Sequence, residues 1–145
     1  MLPFSFKLKF NFESPNKKEE VFKEYLNDWK NGLEDKKVKN ILVKQESIKV
    51  QSPLIKHNFH FLQGINSIAV NIKELKNNYY SSEVKVMLSP MIFIILIGLI
   101  VTPFFNLDLL KFSIIGIVLF GGVNIGIAFS RISALAEQIN KYYKE

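Results

Sequence analysis

Cysteine is absent from the 145 residues. That excludes disulfides, thiolate nucleophiles and Cys-ligated metals. A small extracellular domain often needs a disulfide, so the absence leans toward a cytoplasmic setting. Histidine is scarce, with two residues, His57 and His60. A His-x-x-His pair supplies two metal ligands on a helical turn. Here the stretch reads as strand, where a spacing of three sends the side chains to opposite faces, and no third ligand accompanies them. No P-loop, GxSxG or GxGxxG pattern occurs. The opening residues lack the apolar run of a secretory signal, because Lys7 and Lys9 interrupt it. No catalytic, cofactor-binding or metal-binding residue is therefore expected.

Charge is missing from one part of the chain only. Fifteen of the 19 Lys+Arg and ten of the 13 Asp+Glu fall in 1–86, whereas 87–130 hold only Asp108 and Lys111. Val86 to Leu107 is a charge-free run of 22 residues. As a helix it would measure about 33 Å, enough to cross a hydrocarbon core of about 30 Å. Pro90 lies near its start, where proline suits the first turn. Pro103 lies near its end, where it would stop or kink the helix. Phe112 to Ser130 is a second such run, of 19 residues, about 28 Å long as a helix. Asn106-Leu107-Asp108 is a polar break with Asp108 placed to cap the second helix, and Lys111 is placed to snorkel to the headgroups. So short a connection predicts antiparallel neighbours, hence a two-helix transmembrane hairpin, about 87–105 and 109–130. Lys73, Lys76, Lys85, Arg131, Lys141 and Lys144 lie on the side of the two termini, against Lys111 alone in the turn. Positive residues stay inside, so both termini are expected in the cytoplasm, beside an inner membrane. Lys73, Lys76, Lys85 and Arg131 are the basic residues expected at the membrane surface.

The N-terminal part, 1–86, reads as a cytoplasmic α+β domain. Phe4, Phe6, Leu8, Phe10 and Phe12 alternate with Ser5, Lys7, Lys9 and Asn11, a half-buried strand. Ser14-Pro15 reads as an N-cap followed by proline at the first helical position. Val21, Phe22, Tyr25, Leu26, Trp29 and Leu33 recur at helical spacing, and Gly32 reads as a stop signal. Val38–Val43 and Ser47–Gln51 form a candidate hairpin, Lys56–Leu62 a weaker strand, and Gln63-Gly64 a turn. Ile68, Val70 and Ile72 alternate in a further strand. Lys76-Asn77-Asn78 makes a turn, and Tyr80 to Leu88 the last strand. The order β-α-β-β-β-β-β predicts an antiparallel sheet with one helix across a face, joined to the first membrane helix almost without a linker. The strand–helix opening resembles the start of helix-grip ligand-binding domains over about 30 residues. The long C-terminal helix that closes such a domain is replaced in this reading by membrane segments, so no family is assigned.

The carboxylates Glu13, Glu19, Glu20, Glu24, Asp28, Glu34 and Asp35 interleave with lysines, as on a solvated helix face. General acid–base chemistry needs two groups in contrasting environments, and none is marked by spacing. Lys7 and Lys9 oppose the phenylalanines of their strand. Nucleic-acid platforms need cations and aromatics on one face, so no nucleic acid is expected as a partner.

In the second apolar run Gly116, Gly121, Gly122 and Gly126 accompany Asn124, and Gly122-Val-Asn-Ile-Gly126 is a GxxxG. Small residues at that spacing let helix backbones approach closely, and a mid-membrane asparagine seeks a partner. The face fits packing inside the hairpin and packing on another chain equally well. The tail 131–145 keeps helical spacing through Ile132, Leu135, Ala136, Ile139 and Tyr143. It should extend the second helix and pack on the N-terminal domain or on a partner. The expected function is a non-enzymatic, membrane-anchored accessory or interaction subunit whose partners are the bilayer and a protein or a second copy. The alternative is a ligand-sensing membrane effector that oligomerises or perturbs the bilayer.

Overall fold

The computed structural model describes residues 5–51, 62, 65–105 and 109–143. It is an α+β protein. Five strands, β1 (Ser5–Glu13), β2 (Ile41–Lys44), β3 (Ser47–Gln51), β4 (Ile65–Lys76) and β5 (Tyr79–Leu88), form one antiparallel sheet in the order β1-β5-β4-β3-β2. The helix α1 (Lys18–Asp35) follows β1. After β5 come α2 (Pro90–Phe105), α3 (Leu110–Gly116) and α4 (Val123–Lys141), with a π-helical turn, Ile117–Gly122, between α3 and α4.

Alternation in the strands places one apolar set against the helices. Phe12 on β1, Ile48 and Val50 on β3, Ile68, Val70 and Ile72 on β4, and Tyr80, Val84 and Val86 on β5 are buried. Val21, Phe22, Tyr25, Leu26, Trp29 and Leu33 of α1 close over them, all from the stripe expected from periodicity. The β2–β3 hairpin forms with Gln45-Glu46 as its turn, but β2 begins only at Ile41. The β4–β5 hairpin turns at Asn77-Asn78, where Asn78 takes φ 66°. Asparagine is among the residues that tolerate that left-handed conformation.

Several expectations are corrected. The helix starts at Lys18, with Lys17 as its N-cap, and not at Ser14-Pro15. The Ser14 hydroxyl oxygen instead accepts a long hydrogen bond of 3.4 Å from the Asn16 N–H, ahead of the helix. Gly32 does not end α1. The helix runs three residues further, to Asp35, and Lys37 at φ 58° turns the chain out. Gly32 is a point of close approach: a Cβ there would stand 2.9 Å from Leu135 Cδ1 of α4. The expected Lys56–Leu62 strand, the Gln63-Gly64 turn, Phe4, both histidines, and the Asn106-Leu107-Asp108 break with its Asp108 cap lie wholly or mainly outside the described residues.

The expected pair of membrane-length helices is also revised. β5 continues through Leu88, so α2 holds 16 residues, about 24 Å of helix. The helix Leu110–Lys141, 32 residues long, is the single one among the described residues long and apolar enough to cross a membrane. It does not end at Ser130. Its last part enters the core of the sheet domain, where Ala128, Ile132, Leu135, Ala136 and Ile139 are buried with the strand and α1 residues. Of the two alternatives expected for the tail stripe, it takes the N-terminal domain, so the sheet carries α1 and the end of α4 on one face.

Candidate membrane and partner-binding surfaces

Three surfaces of the described residues are candidates for contact outside the core. The first is apolar and helical. Phe104 is 84% exposed, Phe112 72%, Val118 62% and Ile94 61%. Within the most apolar window of Leu110–Lys141, only 17% of residues are buried. A core helix of a soluble protein would be mostly covered. Contiguous apolar surface on this scale marks contact with a membrane or another protein.

The expected membrane-helix packing residues divide into two groups. Gly116 lies against α2, since a Cβ there would be 3.0 Å from Leu99 Cδ2. Gly121 is packed the same way, 2.9 Å from Leu96 Cδ2. The pairing of Leu99 with Gly116 and Leu96 with Gly121 means that α2 runs antiparallel to the helix it touches. The two glycines are five positions apart, a spacing that a regular α-helix would turn to different faces. The π-helical turn carries one more residue per turn, which brings Gly121 round under Gly116. The glycine spacing was visible in the sequence, but the π turn that gives it meaning was not. Gly122 and Gly126, the two ends of the GxxxG, have nothing within 4 Å of an added Cβ. Asn124 donates from Nδ2 to the Phe120 carbonyl at 2.6 Å. This hydrogen bond lies within its own helix and needs no second chain.

The end of α4 is fixed to the domain by aromatic and polar contacts that sequence periodicity does not reveal. The Tyr143 hydroxyl donates to Asp28 Oδ2 at 2.7 Å, and the Tyr25 hydroxyl donates to Asn140 Oδ1 at 3.1 Å. Asn140 in turn donates from Nδ2 to the Ala136 carbonyl at 2.7 Å. Phe12 stacks on Tyr25 with ring centroids 5.2 Å apart, and Tyr143 meets both rings at 5.0 and 5.1 Å. Burial pushes the Tyr25 hydroxyl above its usual range, against the opposing effect of Ser82, Trp29 and Asn140 nearby. Burial, then the hydrogen bond to Asp28 and its negative charge, push Tyr143 up as well.

The second surface is a groove of about 1050 Å³ between α1 and the β2–β3 hairpin. Phe22, Leu26 and Val43 contribute apolar lining, and Lys18, Glu20 and Glu46 are among the charged residues around it. It exists because β2 is a short edge strand that extends beyond the cover of α1, leaving Val43 half exposed at 49%.

The third surface is the sheet face opposite the helices. The register puts Lys7 beside Lys85, Lys85 beside Ala69 and Ala69 beside Lys49 in one row. The next row holds Lys9, Glu83 and Asn71, and the one beyond it Asn11, Ser81 and Lys73. Lys7 Nζ reaches Glu83 Oε1 at 2.9 Å. This hydrogen bond holds the Glu83 carboxyl below the usual carboxylate range against the opposing effect of desolvation, and the charges of Lys7, Lys9 and Lys73 add to the lowering. Among the expected membrane-surface lysines, Lys73 and Lys85 belong to this face. Lys76 stands at the β4–β5 turn, paired with Tyr79 at the end of β5 remote from α2. Arg131 is half-buried, in α4 where the charge-free run ends.

Among the described residues no group of three or more His, Asp or Glu is placed to hold a metal ion. Comparison with protein-family models, curated proteins and solved structures gives no match to the chain.

Proposed function

We propose that the chain is a non-enzymatic, membrane-anchored interaction subunit. α2 and the apolar part of Leu110–Lys141 form its two-pass anchor, and the sheet domain and both termini stand on the cytoplasmic side. One observation carries this reading. The helix that exposes Phe112, Val118 and Leu119 continues without a break into the domain core at Ile132 and Leu135. An apolar shaft rooted in a folded domain is what a rigidly held anchor requires. α2 is short for a full crossing, but a bilayer thins locally to meet a shorter helix at modest cost. The open glycines Gly122 and Gly126 support contact with a second membrane helix, from another subunit or another copy.

Alkaline carbonate washing of membranes from expressing cells tests the anchor. The chain stays with the membrane and leaves only in detergent; release by carbonate would overturn the anchor. Gentle detergent extraction followed by particle mass and composition tests the subunit role. A discrete assembly that shrinks on Gly122→Leu or Gly126→Leu is the expected result, and a strict monomer with no companion protein would sink it.

The α1–hairpin groove favours a second reading, a ligand-sensing effector that changes the assembly or integrity of the membrane. Overexpression would then arrest growth, and Val43→Trp, which fills the groove, would relieve it. Arrest that is indifferent to Val43→Trp counts against this reading.

A further inference from the structure

The open face of the sheet presents Lys7, Lys9, Lys49, Lys73 and Lys85 with Glu83 among them and Glu13 at one end, and no helix among the described residues covers it. We infer that this face docks a carboxylate-rich surface of a partner protein, an inference that rests on the subunit reading and names the chemistry of the partner.

The arrangement is not the one that favours the free sheet. Lys7 and Lys85 are directly opposite on neighbouring strands, and like charges so placed are destabilising. Glu83 answers Lys7, and Glu13 stands at the far end of β1 on the same face, so Lys9, Lys49, Lys73 and Lys85 still outnumber the carboxylates. Lysines on an edge strand guard against aggregation, but Lys73 and Lys85 lie on β4 and β5, which are internal strands. An external set of carboxylates would satisfy the excess. Such complementarity speeds encounter and selects partners.

Two other polyanions fit less well. A bilayer surface would meet the end of the sheet where β5 passes into α2. The row there is uncharged, with Ser5, Met87 and Ser67. The lysines begin beyond it and extend to Lys73, whose partner Ser81 lies seven residues before Leu88 on β5, roughly 23 Å along the strand. Single-stranded nucleic acid binds where bases stack on aromatic rings among the cations. Phe12 and Tyr80 are packed against α1 and α4 on the other side, and Tyr79, 46% exposed at the start of β5, is a single ring at the far end of the open face, too little for a stacking platform.

The test uses the full chain in nanodiscs of neutral phosphatidylcholine, with poly-L-glutamate, a DNA duplex, and nanodiscs containing phosphatidylserine as the probes. Two triple variants are compared, Lys9→Gln with Lys49→Gln and Lys85→Gln on the face, and Lys18→Gln with Lys23→Gln and Lys30→Gln on α1. The face triple should weaken poly-L-glutamate binding at low salt by about tenfold or more, the α1 triple by far less. Trp29 fluorescence confirms that both fold. The inference is overturned by equal loss in the two triples. Binding of the duplex more tightly than poly-L-glutamate, or a face-dependent gain with phosphatidylserine that exceeds both, would also overturn it. A chain that assembles in the membrane yet fails this test loses the docking face alone. A chain that passes it but is freed by carbonate as a monomer loses the subunit reading alone.

Discussion

The Tyr25 hydroxyl donates to Asn140 Oδ1 at 3.1 Å, joining the middle of α1 to the end of a 32-residue helix 115 positions later in the chain. Both groups are buried, Tyr25 fully and Asn140 at 2% exposure. The bond is one of the contacts that join the end of α4 to the domain, with Tyr143–Asp28 and the buried Ile132 and Leu135.

Asn140→Ala leaves the Tyr25 hydroxyl buried without this acceptor. The expected cost is about 1–3 kcal/mol of domain stability. The single tryptophan, Trp29, is fully buried one helical turn further along α1 and reports unfolding by its fluorescence. In a Tyr25→Phe background the same change should cost less, with a coupling of about 0.5–3 kcal/mol. Strict additivity of the two changes would mean that the bond carries nothing.

Gly32 sets how closely α1 and α4 approach, with Leu135 Cδ1 at 2.9 Å from any added Cβ. Gly32→Ala should be nearly neutral. The helix gains about 1 kcal/mol from the exchange, and displacing the tip of Leu135 costs about as much. Gly32→Leu should destabilise by about 1–3 kcal/mol or more, because the bulk must enter a filled space. Equal stability of the Ala and Leu variants, measured by urea unfolding in detergent, would show that the two helices do not press together here.

Much of the sheet domain was legible because its signals are local. The Phe6–Phe12 alternation, the Val21–Leu33 stripe and the Asn77-Asn78 turn each follow from a few neighbouring residues, and each lies where periodicity places it. What escaped depends on distant partners. Gly32 read as a helix stop because nothing near it in sequence announces Leu135. Gly122 and Gly126 read as the close-packed pair because regular α-helical spacing was assumed, whereas the π-helical turn puts Gly116 and Gly121 against α2. The lysine face was half legible. Alternation puts Lys7 and Lys9 together, but only the register β1-β5-β4-β3 brings Lys85, Lys73 and Lys49 beside them.

Val118 lies in the π-helical turn and is 62% exposed. If the shaft crosses a bilayer, Val118→Arg puts a guanidinium near the middle of the apolar run, costing about 2.5–3.5 kcal/mol of insertion. The fraction of chain resistant to carbonate should fall clearly, while Lys111→Arg, near the start of the helix, should leave it unchanged. Full integration of the Val118→Arg chain would mean that this face looks onto protein or water.

Alkaline pH should loosen the join between α4 and the domain. Tyr143 and Tyr25 both have raised pKa values in the fold, so folding favours their neutral forms. Their contribution is complete below about pH 10, the ordinary tyrosine value. It fades as pH rises from there through the raised values, because the unfolded chain ionises first. Ionised Tyr143 would also lose its proton donation to Asp28 and face that carboxylate, with Glu24 nearby, as a like charge. Unfolding midpoints read from Trp29 across this range should decline steeply in the native chain. Tyr143→Phe should start lower, having lost the bond to Asp28, but decline less steeply. A native chain whose midpoint stays level above pH 10, or a variant with the native slope, would show that the Tyr143–Asp28 contact does not hold the shaft in place.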